Sequence, residues 1–355
     1  MRVLTRPGRA LSRLRDALGR RPPPESGTVR SLIVAAPGHL GDTVLVWPIL
    51  AALPTTFPAA EIEVWVHPLF VAPVAESSPS LFVRPWLPRW FPGARAHSGA
   101  SYAPPKRDRA GSPGAPADLL IDLRGEWQSA LATRRRRARY RVGLDEFGTG
   151  ALYDLAVTVD PAAPRGETLA SPLRALIPEF LPERPKGLPV PARPPTPRIG
   201  LALEAGSQAK TWPLELQQAL VRRLRAELPQ ATLVLIGSDA DAAQALEGDV
   251  DRRCDRTVEA MLADIAGLSV LVSADSVPGH MAALLGVPLV SVFSAANDPR
   301  VWGARGERAT RLLYEPPDCA GCRLRRCSHR SCLTAITPGM VVAAVRDLLA
   351  GSTEP

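Results

Sequence analysis

Four polar segments of this sequence each follow an apolar run that is long enough to form a buried strand. They lie at residues 37–43 (PGHLGDT), 206–213 (GSQAKTWP), 237–241 (GSDAD) and 273–280 (SADSVPGH). In open α/β sheets ligands bind just beyond the carboxyl ends of the strands, and a helix that begins there suits a phosphate group. The segments therefore indicate sites for an anionic ligand, with ordinary capped helices after each strand as the alternative interpretation.

The segment at 37–43 offers a carboxylate beside a tight turn. Its glycines let the chain turn sharply, and Asp42 is expected at, or just inside, the start of a helix. In that position Asp42 could act as a general base. Because a helix N-terminus lowers the pKa of a carboxyl group, Asp42 would stay ionised but would be a weaker base. A plain N-cap is the alternative hypothesis.

The segment at 206–213 offers a cation. Its small residues would supply backbone N–H donors to an anion, and Lys210 would supply a mobile charge. The only lysines of the chain are Lys106, Lys186 and Lys210, so an incidental surface lysine is disfavoured here. In the segment at 237–241 an aspartate could accept hydrogen bonds from a ribose, although helix capping explains it equally well.

Four of the five cysteines form a C-x2-C-x4-C-x4-C cluster near the C-terminus. They are Cys319, Cys322, Cys327 and Cys332. Four thiolates this close in sequence could hold a structural zinc or iron ion. The middle spacing is unusual for zinc, so His329 could replace one thiolate, and reduced thiols without a metal are the main alternative. No secretory signal is apparent, so a reducing compartment is expected and a disulfide framework is not.

Strands and helices are predicted to alternate from residue 31 to 144 and again from 198 to 349. Between these runs prolines recur from 160 to 197, which argues against helices and central strands and predicts a linker in the second half. Residues 88–117 are rich in Pro, Gly, Ser and Arg and predict a long mobile loop. The two runs imply an α/β fold with two parallel-sheet domains that face each other across a cleft.

The formal net charge of +8 is concentrated in two arginine-rich segments. The leader, residues 1–29, predicts an arginine-rich helix with one apolar stripe, which suits an anionic membrane surface. The stripe consists of Leu11, Leu14 and Leu18. The second segment is residues 134–137 (RRRR), and a solvated basic face is the alternative for both. Nucleic acid is disfavoured because no known binding module accompanies the charge, and no apolar stretch predicts a spanning helix.

Taken in order, these segments resemble glycosyltransferase family 9, the lipopolysaccharide heptosyltransferase family. The resemblance covers most of residues 30–350 and rests on GHLGDTVLVWPIL, DLLIDLRGEWQSAL with YRVGLDE, GSQAKTWP, LIGSDAD, ADSVPGHMAALLGVPLVSVFS with NDP, and CAGCRLRRCSHRSCLTAITPGMV. It implies the GT-B fold, in which two Rossmann-like domains face across a cleft. The corresponding parts are the leader at 1–29, an acceptor-side domain at 30–185, a linker at 186–197, a nucleotide-sugar-binding domain at 198–337 and a C-terminal helix at 338–355 that crosses back to the first domain.

The resemblance also implies an activity. This is an inverting transfer of a heptose or similar sugar from an ADP-sugar to a lipopolysaccharide core or related surface glycan, with no cofactor required. Asp42 matches the base that deprotonates the acceptor hydroxyl, and Lys210 matches the lysine that stabilises the leaving diphosphate. The matching donor-binding residues are Gly206, Ser207, Asp241, Asp275, Ser276, Gly279 and His280. The matching acceptor-side residues are Gly38, His39, Gly41 and Arg124.

One residue departs from the family pattern. Where the family motif D-[ST]-G-x-x-H has glycine, this chain has Val277. A β-branched residue makes positive φ and close approach of a phosphate costly. A degenerate GT-B protein that binds a nucleotide sugar or glycolipid without transfer is therefore one alternative. A protein-modifying heptosyltransferase with a cysteine metal finger is another. The expected partners are a nucleotide-sugar donor, a glycolipid acceptor and an anionic membrane surface. They predict a cytoplasmic protein in peripheral contact with the inner face of the inner membrane.

Overall fold

The computed structural model describes residues 22–36, 38–86, 115–191, 194–237, 246–306, 308 and 310–351. The chain forms two compact units that divide between Gly187 and Leu188, inside the segment predicted as a linker. The leader up to residue 21, most of the predicted loop at 88–117, and Asp241 lie outside the described residues. No helix in the described ranges is long and apolar enough to cross a membrane.

The first unit is built on a parallel sheet of six strands in the order β3-β2-β1-β4-β5-β6. Its strands are β1 (Ser31–Ala35), β2 (Glu61–Val66), β3 (Leu81–Pro85), β4 (Ala117–Asp122), β5 (Ala138–Asp145) and β6 (Leu155–Thr158). Its α-helices are α1 (Leu40–Ala51), α2 (Leu53–Thr56), α3 (Val71–Ser77), α4 (Trp127–Arg134) and α5 (Arg165–Arg174). Val34 pairs in register with Val64 and Ile121. All three are fully buried, as expected for central strands covered on both faces by helices.

The second unit repeats this plan with six parallel strands in the order β12-β11-β10-β7-β8-β9. Its strands are β7 (Arg198–Ala202), β8 (Thr232–Ile236), β9 (Asp251–Arg253), β10 (Val270–Ala274), β11 (Leu289–Val292) and β12 (Thr310–Leu313). Its α-helices are α6 (Leu214–Glu227), α7 (Val258–Ala266), α8 (Val277–Leu285), α9 (Pro299–Trp302), α10 (Ser331–Thr334) and α11 (Pro338–Gly351).

Both sheets have the strand order of the Rossmann fold when the strands of each unit are counted from its own first strand. The order reverses between β1 and β4 in the first unit and between β7 and β10 in the second. Folds of this kind bind ligands in the crevice outside the carboxyl ends of those two strands. The predicted α/β class with two Rossmann-like domains is confirmed, and the strand order shows where in each unit a ligand site is expected.

The last helix is part of the core of the second unit. Val341, Val345 and Leu348 of α11 lie in the same hydrophobic cluster as Leu220 and Leu224 of α6. The helix opens with a proline, where the missing N–H costs no hydrogen bond. The further expectation that this helix crosses back to the first domain stays a prediction.

One helix contradicts the sequence prediction. The proline-dense segment at 160–197 is predicted to contain no helix, yet α5 lies within it and includes Pro172. Pro172 cannot donate a backbone hydrogen bond to the carbonyl of Thr168, four residues earlier. The hydroxyl of Ser171 donates to that carbonyl instead, at 2.8 Å. The prediction was wrong because a side chain can replace the hydrogen bond that proline removes.

Candidate active site

Asp42 lies in a buried, positively charged environment just beyond the carboxyl end of β1. It is the third residue of α1 and is 6% exposed. Its Oδ2 accepts hydrogen bonds from the backbone N–H of His39 at 3.2 Å and from Nη1 of Arg124 at 2.6 Å. Nε of Arg165 lies 3.7 Å from Oδ1, and Oδ1 accepts no hydrogen bond from any described residue. One carboxylate oxygen is therefore held in place, while the other is buried and has an unused capacity to accept a hydrogen bond.

Each arginine beside Asp42 is paired with a second carboxylate. Arg124 contacts Glu126, and Nη1 of Arg165 is 2.9 Å from Oε2 of Glu146. Both arginines are buried, and buried charges persist only when they are paired. The second carboxylates thus fix the positions of both guanidinium groups. The sequence prediction includes Arg124 but misses Arg165, because the helix that supplies it was not expected.

The position of Arg124 is set by the turn that follows β4. Oδ1 of the fully buried Asp122 accepts hydrogen bonds from the backbone N–H groups of Arg124 at 2.9 Å and Gly125 at 3.3 Å. Oδ2 accepts a hydrogen bond from the hydroxyl of Tyr153 at 2.8 Å. Burial raises the pKa of Asp122 despite these donors. Sequence reasoning missed the side chains of Asp122 and Tyr153, although a carboxylate at the end of the apolar run DLLIDL was a usable signal for Asp122.

The other predicted acceptor-side residues shape the turn before α1. His39 is the N-cap of α1, and Gly41 is the second residue of the helix. A Cβ atom on Gly38 would lie 3.0 Å from Cβ of Asp42 and 3.2 Å from Nη1 of Arg124. Such an atom would crowd the ion pair, so packing favours glycine at this position. The structure therefore brings all the predicted acceptor-side residues to one place.

The pKa of Asp42 is governed by opposing effects. Burial raises it, but the positive charges of Arg124 and Arg165, with His39, more than offset burial and hold the pKa below its ordinary value of 3.8. Asp42 is therefore ionised at neutral pH. It stabilises the folded state above pH 3.8, and this contribution is lost as the pH falls through the lowered pKa. As a base it is weak, so it can take only a proton that the reaction itself makes acidic.

In the second unit Lys210 and Asp275 form an ion pair near the carboxyl ends of β7 and β10. Nζ of Lys210 is 2.9 Å from Oδ2 of Asp275, which also accepts a hydrogen bond from Nδ2 of Asn297 at 3.0 Å. Asp275 is buried, whereas the side chain of Lys210 is 24% exposed. A positioned but accessible ammonium group of this kind suits an anion. Asn297 was missed as a site residue, although it lies in the NDP segment of the resemblance.

The loop that contains Lys210 is tied to the cysteine-rich segment. The side-chain amide of Gln208 donates to the carbonyl of Cys327 at 3.2 Å and accepts from its N–H at 2.9 Å. Nη2 of Arg325 donates to the carbonyl of Gly206 at 3.3 Å. Among the described residues nothing lies within 4 Å of a Cβ built on Gly206, so a ligand can approach the backbone there. In the same loop Ser207 accepts the backbone hydrogen bond of Lys210 at 3.0 Å.

The turn after β10 leads directly into α8. Ser276 is the N-cap, with extended backbone, and Val277 is the first helical residue. Val277 is not among the described residues with positive φ, so the expected conformational cost of a β-branched residue does not arise there. A Cβ on Gly279 would lie 3.1 Å from Oγ of Ser273. The fourth helical residue, His280, is buried in the first turn of α8.

The cluster of four cysteines does not form the predicted metal site. No group of three or more His, Cys, Asp and Glu side chains in the described ranges could hold a metal ion. The segment is anchored at three places: the N–H of Gly321 donates to the carbonyl of Ala295, Cys327 bonds to Gln208, and Cys332 packs against the hydrophobic core. These anchors hold the segment along its length, and its thiols are free. A structural zinc or iron ion at Cys319, Cys322, Cys327 and Cys332 is therefore not supported.

The two charged clusters occupy equivalent places in the two sheets. Asp42 and Arg124 follow β1 and β4, whereas Lys210 and Asp275 follow β7 and β10. These are the strands between which the order of each sheet reverses, where folds of this class bind their ligands. A buried carboxylate suits proton removal, and an accessible ammonium group suits a developing negative charge.

Solved structures share this two-unit architecture. One is the E. coli heptosyltransferase WaaC with ADP, with a TM-score of 0.66 and 17% identity over 90% of this chain and 99% of that chain. The E. coli ADP-heptose LPS heptosyltransferase II has a TM-score of 0.66 and 18% identity over 91% and 100%. The glycosyl transferase family 9 structure from Veillonella parvula DSM 2008 has a TM-score of 0.68 and 15% identity over 91% and 98%. The fold is thus the GT-B type of a glycosyltransferase.

The family follows from the sequence itself. The model of glycosyltransferase family 9 (heptosyltransferase) matches residues 114–332, which is more than half of the chain. The protein therefore belongs to glycosyltransferase family 9, and the predicted resemblance and enzyme class are confirmed. A search of curated proteins found no match.

Proposed function

We propose that this enzyme is an inverting heptosyltransferase that moves a heptose or similar sugar from an ADP-sugar to a lipopolysaccharide core or related surface glycan. The observation that supports this most directly is the buried carboxylate of Asp42, whose Oδ1 accepts no hydrogen bond from the described residues. Membership of family 9 and the fold shared with heptosyltransferases described with ADP and ADP-heptose support the donor class. The proposed chemistry requires no cofactor.

In the proposed reaction the acceptor hydroxyl attacks the anomeric carbon of the donor in a single displacement. Oδ1 of Asp42 accepts the hydroxyl proton as the new carbon–oxygen bond forms. The bond from the anomeric carbon to the diphosphate breaks, and its electron pair leaves with ADP. Because the anomeric carbon develops positive charge, the hydroxyl proton becomes more acidic as the bond forms. A carboxylate with a lowered pKa can then accept it.

The negative charge of the departing diphosphate is proposed to be stabilised by Lys210. Asp275 and Asn297 hold the lysine in position, and the N-terminus of α8 adds partial positive charge from its N–H groups. The other proposed donor contacts are Gly206, Ser207, Asp241, Ser276, Gly279 and His280. The proposed acceptor-side contacts are Gly38, His39, Gly41 and Arg124.

A glycolipid acceptor places the reaction at a membrane. We propose peripheral contact with an anionic membrane surface, on the cytoplasmic side where the nucleotide sugar would be supplied. The arginine-rich leader motivates this proposal, and it lies outside the described residues. No nucleic-acid partner is proposed.

The proposed function is tested by measuring ADP release from ADP-heptose with and without a lipid A–Kdo acceptor. We expect release that depends on the acceptor, and a product whose anomeric configuration, read by NMR, is opposite to that of the donor. ADP-glucose and a UDP-sugar are the matched donor controls. ADP binding without release would favour the non-transferring alternative, for which Val277 in place of the family glycine is the motivating observation.

The pH dependence of kcat/KM tests the role of Asp42 in a second way. Since the pKa of Asp42 lies below 3.8, we expect no acidic limb from this group between about pH 5 and 8. Arg165→Gln removes one of the charges that lower this pKa, so the acidic limb should move to higher pH. Arg174→Gln, in the same helix but paired with Glu167, is the control and should leave the profile in place. A wild-type limb above about pH 6 that Arg165→Gln does not move would contradict the assignment.

A further inference from the structure

One face of the first unit exposes a group of large apolar side chains. Trp127 and Leu131 of α4 are 50% and 51% exposed, and Phe147, in the loop after β5, is 51% exposed. Residues four positions apart lie on the same side of a helix. Nε1 of Trp127 donates a hydrogen bond to the carbonyl of Phe147 at 3.1 Å, which joins the loop to the helix. Exposed apolar groups of this kind mark interaction sites more often than scattered single residues do.

Arginines continue this face toward the end of α4. Arg134 and Arg135 follow Leu131 by three and four residues, so they lie on the same side of the helix, and both are exposed. Trp127, Leu131, Phe147, Arg134 and Arg135 are called the α4 surface below. The surface therefore has an apolar end and a basic end.

The next arginine of the basic run has a different role. Nη2 of Arg136 lies 3.3 Å from Oε2 of the fully buried Glu63, and its guanidinium group lies over the ring of Trp65. Arg136 is thus part of the packing of the first unit. Arg134 and Arg135 have no such buried carboxylate partner among the described contacts, so their charge faces outward.

We propose that the α4 surface docks the enzyme on an anionic lipid bilayer. Its apolar side chains enter the interfacial region, while its arginines contact headgroup phosphates. Charge complementarity favours an anionic bilayer as the binding partner of this surface. The acidic residues nearest in sequence, Glu126 and Glu146, are already paired with buried arginines, so they do not cancel the outward positive charge. The proposal rests on the proposed function, since a glycolipid acceptor gives docking its purpose.

The α4 surface adjoins the charged residues around Asp42 at two points. Trp127 directly follows Glu126, and Phe147 directly follows Glu146. Those glutamates hold the two arginines that flank Asp42. Docking through this face therefore turns the side of the first unit that adjoins the residues around Asp42 toward the bilayer that contains the acceptor.

The test is co-sedimentation of the full-length protein with vesicles of phosphatidylglycerol and phosphatidylcholine, compared with vesicles of phosphatidylcholine alone. One variant is Arg134→Gln/Arg135→Gln, and the other is Trp127→Gln/Leu131→Gln/Phe147→Gln. Each arginine near an anionic surface strengthens binding about fivefold, so we expect about 25-fold weaker partitioning for the double variant. For the triple variant we expect at least about tenfold weaker partitioning, because buried apolar area is lost.

Matched controls come from parts of both units that lie outside the α4 surface. The exposed set Leu181→Gln/Val190→Gln/Leu312→Gln removes three apolar side chains, and Arg222→Gln/Arg311→Gln removes two charges, all outside the α4 surface. These controls should partition like the wild type. The proposal is overturned if the wild type binds neutral vesicles as well as anionic ones, or if the α4 variants partition like their controls. A change of oligomeric state in the triple variant, seen by light scattering, would instead make this face an interface between copies.

Turnover with a deacylated, water-soluble acceptor separates this proposal from the proposed function. The α4 variants should keep that turnover within about twofold of the wild type, because they touch no group of the reaction. Vesicle binding without turnover on any acceptor would remove the proposed function and leave the docking surface standing. Acceptor-dependent turnover, together with unchanged vesicle binding in both α4 variants, would support the proposed function and overturn the docking surface.

Discussion

Asp42→Asn is expected to lower kcat by about 10²- to 10⁴-fold, the range typical for loss of a general base. Asparagine keeps the size of the side chain and an oxygen for the hydrogen bonds from His39 and Arg124, but its amide cannot take a proton. The proposed donor residues belong to the second unit, so the affinity for ADP should stay within about twofold of the wild type. Steady-state ADP release and calorimetric titration with ADP measure the two quantities.

Loss of the charge at Asp42 also affects stability, and a control must separate this effect from catalysis. Asp42→Asn removes one of the two carboxylates that pair with each of Arg124 and Arg165, while Glu126 and Glu146 remain. The loss in the free energy of unfolding should therefore stay below about 3–5 kcal/mol, the cost of a fully unpaired buried charge. Glu63→Gln is the matched control because Glu63 is buried in the same sheet and pairs with Arg84 and Arg136. It should be similarly destabilised, yet keep kcat per folded molecule within about twofold. Equal losses of kcat in both variants would mean that Asp42 is structural.

The central strands of both sheets could be predicted from the sequence, and so could the edge strand β3, but the other three edge strands could not. The apolar runs of the sequence predict strands at Glu61–Val66 and Thr232–Ile236, and β2 and β8 have these bounds. Buried parallel strands are nearly continuous apolar runs, which the sequence displays directly. The edge strands β6, β9 and β12 are mostly half-buried or exposed. They have no such run, and pairing with a neighbouring strand defines them.

Some charged residues of the site could also be predicted from the sequence, whereas their contacts with one another could not. Asp42, Lys210 and Asp275 could be singled out because each follows an apolar run within a few residues. The partners that set their properties are distant in sequence: Arg124 is 82 residues from Asp42, and Asp275 is 65 residues from Lys210. Arg165 had no signal of its own, since arginines are frequent throughout this chain. Only the tertiary structure shows that the arginines beside Asp42 lower its pKa.

The second large effect is expected for Lys210→Gln, which should lower kcat by about 10²- to 10³-fold, as loss of one group that stabilises developing negative charge does. The ion pair with Asp275 increases the expected loss. Without the lysine the carboxylate of Asp275 keeps Asn297 as a partner but adds an unbalanced negative charge near the departing diphosphate. Affinity for ADP should fall as well, and calorimetry and ADP release measure both effects.

A double-mutant cycle with Asp275→Asn separates these two contributions. In Lys210→Gln/Asp275→Asn the unbalanced carboxylate is gone, so affinity for ADP should recover in part, whereas kcat should stay low because no cation meets the leaving group. Asp275→Asn alone keeps the ammonium group but releases it from its partner, so a smaller loss of kcat is expected. If the double variant regained wild-type kcat, the lysine would serve only to neutralise Asp275. The stabilisation of the leaving diphosphate would then have to come from another part of the chain.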